Sequence, residues 1–239
     1  MAKMSESTNL TPARINRGRT GTRPPVSEWL MFRADHARAQ DAVHGELSEE
    51  FLDAMEAKGY PLVQSICTSR TEFIRRPPNG KTCSEAELAR LSERCQKNKD
   101  VQIVISDGLS ATAVERNVDD LLPIIHDGLE LAGLSYGTPV VVRFGRVAVG
   151  DQIAHHLGAR LVINLIGERP GLSTDESLSA YITLNPGPQT ISSDRTVVSN
   201  IHRSGTPPLE AGAYVVQRVR KIFQYKLSGV KLQQAENQA

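Results

Sequence analysis

A chain of 239 residues with 39% hydrophobic residues and only 5% aromatics has the length and apolar content for one large domain or two small ones around a real core. Its 28 Lys+Arg against 27 Asp+Glu leave a net charge of +1, so no global field draws it to nucleic acid or to an anionic membrane. The apolar runs are far shorter than the roughly 20 residues a bilayer span requires, and three scattered cysteines (Cys67, Cys83, Cys95) without a Cys-x-x-Cys point to a reduced, intracellular compartment, which excludes a membrane protein, a secreted disulfide scaffold and a disordered chain.

Charge is uneven along the chain. Residues 1–25 carry Lys3, Arg14, Arg17, Arg19 and Arg23 against Glu6, a balance of +4 that leaves −3 for the rest. Residues 1–22 read as a flexible basic arm, rich in Ser, Thr and Gly, with little to bury. Such an arm grips nucleic acid or orders on a partner subunit. The absence of interleaved aromatics and dense cation clusters favours the partner.

Residues 23–100 read as a smaller, mostly helical region. Ser27 is the expected N-cap of a helix toward Val43, with Trp29, Phe32, His36, Ala39 and Val43 as its apolar stripe. Ser48-Glu-Glu opens a second helix through Phe51, Ala54 and Met55, closed by Gly59. Pro61–Ser69 alternates like a strand, and Arg75-Arg-Pro-Pro-Asn-Gly80 is a turn by composition. Ser84-x-x-Glu87 is a capping box for a helix carrying Leu88, Leu91 and Cys95.

Residues 101–239 change character. Val101–Ser106, Pro139–Arg143 and Arg160–Ile166 are apolar throughout, and helical segments follow the first and the second. The pattern predicts a parallel sheet covered on both faces. Ala180–Leu184 adds a further strand. Pro207-Pro208 opens a last amphipathic helix, with Val215, Val219, Ile222 and Phe223 inward, ending near Gly229. The fold class is α/β: a Rossmann-like, mostly parallel sheet flanked by helices and preceded by the smaller helical region.

In an open parallel sheet, ligands bind outside the carboxyl ends of the strands. Three such ends stand out: Ser106-Asp-Gly-Leu-Ser110, Arg143-Phe-Gly-Arg-Val147 and Gly167-Glu-Arg-Pro-Gly-Leu172. Each sets Gly beside a polar residue, as a ligand loop or a tight strand-to-helix turn would. No Gly-x-Gly-x-x-Gly or phosphate loop follows any strand, which weakens a nucleotide reading. His155-His156 are adjacent, so on a helix they point about 100° apart and make poor joint metal ligands. Asn200-Ile-His202-x-x-Gly205 echoes a cobalamin-ligating histidine box, but Asn stands where Asp belongs; a loop histidine bonding its own turn accounts for it. No Gly-x-Ser-x-Gly elbow accompanies Ser106-Asp107 or Asp194-Arg195. The cysteines are expected to pack as small apolar residues. A stand-alone Rossmann-like enzyme using a nucleotide and a non-enzymatic binding module stay open at this level. A chain with strand-end loops, a basic arm and no complete catalytic set looks like one subunit of a larger enzyme.

Four segments, Val101–Val114, Gly137–Ile153, Leu165–Tyr181 and Asp194–Ala211, together with Ala13–Val43, resemble the small (light) subunit of ethanolamine ammonia-lyase; Gly-Glu-Arg-Pro-Gly-Leu-Ser following Ser-Asp-Gly-Leu-Ser is a specific combination. The resemblance implies one subunit of an adenosylcobalamin-dependent carbon–nitrogen lyase in a hetero-oligomer. In that family a TIM-barrel large subunit binds ethanolamine and carries the catalytic residues, so none is expected here. The small subunit helps hold cobalamin at the interface, and the holoenzyme converts ethanolamine to acetaldehyde and ammonia by radical chemistry. The cobalamin contacts of the family fall on Val147, Glu168 and Val197, the last a Cys in some members. Glu168 is expected to accept hydrogen bonds from corrin amides, and the two valines to offer apolar and backbone contact. No protein metal ligand, nucleic acid or membrane partner is implied. Because a longer amphipathic N-terminal extension directs some relatives into a bacterial microcompartment and none is evident here, a cytoplasmic enzyme is expected, with any encapsulation brought by a partner.

Overall fold

The computed structural model describes residues 18–238; the cations Lys3, Arg14 and Arg17 of the basic arm lie outside the described residues. A six-stranded sheet runs β1(Leu62–Gln64), β3(Val140–Arg143), β2(Val101–Ser106), β4(Leu161–Gly167), β5(Leu178–Leu184), β6(Arg195–Ile201) in spatial order. The first four are mutually parallel. The last two are antiparallel, each to the strand before it.

β2 and β4 are buried at every position, which is why they read as mostly apolar runs, interrupted by Gln102, Ser106 and Asn164: helices cover both faces. One core layer gathers Ile103 and Ile105 with α2(Glu49–Ala57), α5(Ala111–Leu131) and α7(Pro208–Tyr225). The other gathers Val104, Val140 and Val142 with α4(Glu85–Arg94) and α6(Val147–His156). Thus α5 leaves β2 toward one face and α6 leaves β3 toward the other. A crevice opens between the strand ends where the direction switches, the place such sheets bind ligands. The α/β class and the mostly parallel centre stand as expected.

Local chemistry fixes the helix starts. Ser48, Ser84 and Ser110 each accept the N–H of the third helical residue, from Phe51, Glu87 and Ala113. At α1(Val26–His44) the expected Ser27 cap is replaced by Pro25, with no side-chain cap. The stripe assigned to α1 is not buried either: Trp29 and Phe32 stay exposed, and Ala42 is the helix's buried residue. The strand expected over Pro61–Ser69 stops at Gln64. Beyond Ser65, which bridges to Cys83, Ser69 caps α3(Arg70–Arg75), and Cys67 turns inward against Phe73 and Phe144. All three cysteines are buried and free. Residues 75–80 form the expected turn, continued as a 3-10 helix over Pro77–Lys81.

Two elements had no counterpart in the sequence reading. β6 extends the sheet through residues with no predicted element, and α8(Gly229–Gln238) follows α7, which ends at Tyr225 when Lys226 turns left-handed at φ 55°. Among the described residues no helix is long and apolar enough to cross a membrane.

Candidate functional site

The three strand-end loops meet at one place. The Asp107 carboxylate accepts the backbone N–H of Phe144 (2.8 Å) and of Gly145 (2.9 Å), which locks the end of β2 to the end of β3. Phe144 holds the left-handed conformation this requires, at φ 56°. Gly108, also at positive φ, lies so close to the β4 end that a Cβ there would sit 2.2 Å from the carbonyl oxygen of Gly167. That carbonyl accepts the N–H of Leu109 at 3.0 Å. The glycines of these loops therefore serve first to bring three chain segments into contact.

Asp107 is fully buried. Burial pushes its carboxyl up to about 6 against the opposing pull of the Arg70 guanidinium and the N–H groups of Phe144, Gly145 and Gly108. Arg70, itself buried, pairs with Asp107 at 3.3 Å and donates to the carbonyl of Gly108 (2.9 Å) and of Val43 (2.8 Å). Ser106 and Asp107 form no catalytic pair. The Ser106 hydroxyl donates to Asn164 Oδ1 at 3.0 Å, and Asn164 donates on to the carbonyl of Val147 at 3.1 Å, fixing the first turn of α6.

A hollow of about 180 Å³ opens above these loops. Its lining includes Gly108, Arg146, Val147, Glu168, Arg169 and Tyr181. Glu168, half-buried, binds both flanking strands: Oε1 accepts from Ser179 Oγ (2.6 Å) and from the Asn200 N–H (2.8 Å), and Oε2 accepts from Ser177 Oγ (2.7 Å). Val197 lies on β6 opposite Tyr181 and is 44% exposed. Val147 and Glu168 therefore line one hollow and Val197 sits on the strand beside it. Arg146 and Arg169 fall in the strand-end loops already singled out, whereas sequence reasoning missed Arg70 and Tyr181 as parts of this place, and also the serines that hold Glu168. Arg70 lies just past the stretch read as strand, Pro61–Ser69, and nothing in its neighbours marks it.

The guanidinium of Arg146 stacks over the Phe73 ring at 4.1 Å, donates to the Phe73 carbonyl at 3.1 Å, and has a buried Nε without a partner. A larger, open cleft of about 750 Å³ lies at the opposite end of the sheet, around Arg160, Asn185 and Lys226. None of the three strand-end loops reaches it.

The other candidates keep structural roles. His202 bonds its own turn: Nδ1 accepts the Ser204 N–H at 3.3 Å, which leaves Nε2 to donate to Asn200 Oδ1 at 2.9 Å. His155 and His156 are exposed. Asp151 pairs with Arg195 at 2.5 Å. Burial raises all three thiols, Cys83 to about 12, so none is a ready thiolate. Among the described residues no group of three or more His, Cys, Asp or Glu is placed to hold a metal ion.

Residues 2–233 match the protein family described as Ethanolamine ammonia-lyase light chain (EutC). Over 222 residues the chain is 48% identical to the ethanolamine ammonia-lyase small subunit of Clostridium tetani (strain Massachusetts / E88), a match covering 93% of this chain and 74% of that protein.

Proposed function

The chain belongs to the ethanolamine ammonia-lyase light-chain family, and we propose that it is the small subunit of a cytoplasmic, adenosylcobalamin-dependent enzyme, holding one edge of the cofactor against a large subunit that binds ethanolamine. The observation that carries this reading is that Val147 and Glu168 line the strand-end hollow, with Val197 on the adjoining strand.

The residues present fit such a group. A hollow of about 180 Å³ takes a side chain at the corrin periphery and leaves the macrocycle to be enclosed by another chain. Three donors already use Glu168, and a carboxylate has about four acceptor sites. One position on Oε2 is left for an amide N–H. The orphaned Nε of Arg146 and the Arg169 guanidinium supply donors for amide carbonyls. Val147 and Val197 offer apolar contact, and Asn164 holds the Val147 carbonyl in place.

Adenosylcobalamin supplies the radical chemistry when bound. This chain's residues orient it and exclude water on their side: the Asp107–Arg70 lock sets the distance between the β2 and β3 ends, and Glu168 sets that between β4 and β6. Neither of these carboxylates is free to move a proton to a substrate. The catalytic residues of ammonia release are accordingly assigned to the large subunit.

The test combines this chain with the large subunit of the same enzyme, adenosylcobalamin and ethanolamine, and measures acetaldehyde. Activity that requires this chain is expected; a stable complex without activity would overturn the reading. Two variants then address the site. Glu168→Ala should weaken cobalamin binding to the assembled enzyme about tenfold or more, as one buried acceptor is worth about 1–3 kcal/mol. Val147→Asp is favourable at a helix N-terminus, so folding should persist while the new charge lowers cobalamin affinity at least as much. Unchanged binding in both variants would remove this hollow from the cofactor site.

A further inference from the structure

α1 leaves its large apolar side chains exposed, Met31 and Phe32 included. The positions of reduced exposure between its start and Ala42 are Glu28, Asp35 and Ala39, and at about 100° per residue they fall with Ala42 on one narrow stripe. That inner stripe is acidic or small. The opposite side presents Val26, Trp29, Leu30, Arg33 and Ala37, with Val26 73%, Trp29 47% and Leu30 55% exposed. Arg33 stacks over the Trp29 ring at 4.9 Å. A surface helix normally turns this stripe to its own core. Here an apolar stripe faces solvent instead, and Trp and Arg are among the residues enriched at the centres of protein interfaces.

The helix is also anchored at the rim of the candidate site. Its C-terminal carbonyl at Val43 accepts from Arg70 Nε, and the same guanidinium holds Asp107 and the Gly108 carbonyl. Glu46, just beyond, pairs with Arg143 at the β3 end at 2.8 Å. A body that closes over the strand-end hollow is therefore next to the base of α1.

We propose that the outer face of α1, from Val26 to Ala37, is a docking surface for the large subunit, the same body that encloses the remainder of the cofactor. The inference rests on the small-subunit reading above and adds the place of contact. Because α1 ends at the rim of the site, a body that covers the cofactor hollow can continue along the helix toward Val26.

The experiment measures binding of the full chain to the purified large subunit by sedimentation and titration. The double variant Trp29→Asp with Leu30→Asp should weaken the complex about 100-fold or more, as for loss of a central tryptophan anchor. Its thermal stability should stay that of the parent, since neither residue is in the core. Leu131→Asp, at a site 90% exposed on the far end of α5, should bind as the parent does. Backbone amides of residues 26–37 should exchange quickly in the isolated chain and become protected on adding the large subunit. A double variant that binds like the parent overturns this inference alone. So does protection of α1 in the isolated chain, which would mean that a second copy or the chain's own amino-terminal segment covers it. Failure of the parent chain to bind any large subunit overturns the small-subunit reading along with it.

Discussion

Glu168 meets two demands on the same few lone pairs. Ser177, Ser179 and the Asn200 N–H take three acceptor positions, and the proposed corrin amide takes the fourth. Replacing Glu168 therefore removes a tie between strands as well as a ligand contact, and a single variant mixes the two. Ser179→Ala separates them. It deletes one internal donor at a buried position, which costs about 1–2 kcal/mol of folding stability, or roughly 2–4 °C of melting temperature per kcal/mol in a chain of this size. It leaves the carboxylate in place, so cobalamin affinity of the assembled enzyme should not fall. Thermal unfolding beside a cobalamin titration checks both halves; a loss of affinity with no change in melting would assign Ser179 to the ligand instead. The loop bearing Glu168 was visible in the sequence because Gly and charge cluster after an apolar run. Its partners were not. Ser177 and Ser179 sit 9 and 11 residues away, just before β5 and on it, and their relation to Glu168 exists only once β5 has folded back antiparallel.

At the scale of elements, what could be read was set by burial. β2 and β4, buried at every position, announce themselves in any hydrophobic pattern. β6 buries only Val198 and Ile201, and a register shift opposite Leu178 and Ala180 breaks its alternation. α8 has a single buried side chain, Leu232. It is held instead by polar ties that periodicity does not report. Arg218 on α7 forks onto both oxygens of Glu236 at 2.9 and 2.8 Å, and Lys221 reaches the same carboxylate at 2.8 Å. Together they hold its carboxyl down at about 2. A carboxyl depressed in the folded state contributes stability above its ordinary value near 4.5, and that contribution is lost as pH falls through about 2. Glu236→Gln should thus lower the unfolding midpoint at pH 6, and the difference from the parent should vanish near pH 2. A constant difference across that range would show that the tie acts by shape, not charge. The reverse error, a strand read through Ser69, has a similar origin: alternation continues past Gln64, but the inward turn of Cys67 toward Phe73 and Phe144 ends the pairing.

For the whole molecule, the charge imbalance and the location of buried surface point the same way. The first 25 residues carry +4 against −3 for the remainder. Among the described residues, nothing before Ala42 on α1 is buried, and Arg19 and Arg23 flank a tight turn in which Thr20 and Arg23 bridge. Folding of the sheet does not call on this end of the chain, whereas association can. Excess charge concentrated in one segment acts through the field between partners, so its effect is screened by salt. Removing residues 1–22 should leave the melting temperature of the isolated chain within about a degree, because a sequence this rich in Ser, Thr and Gly has little apolar surface to bury. Binding to the large subunit should weaken most at low ionic strength, and the truncated and full chains should converge as salt rises toward about 0.5 M, where the screening length is only a few ångströms. Loss that persists at high salt would mean that the arm contributes apolar contact of its own, continuous with the outer face of α1. Equal binding at every salt concentration would confine the interface to α1 and the strand ends.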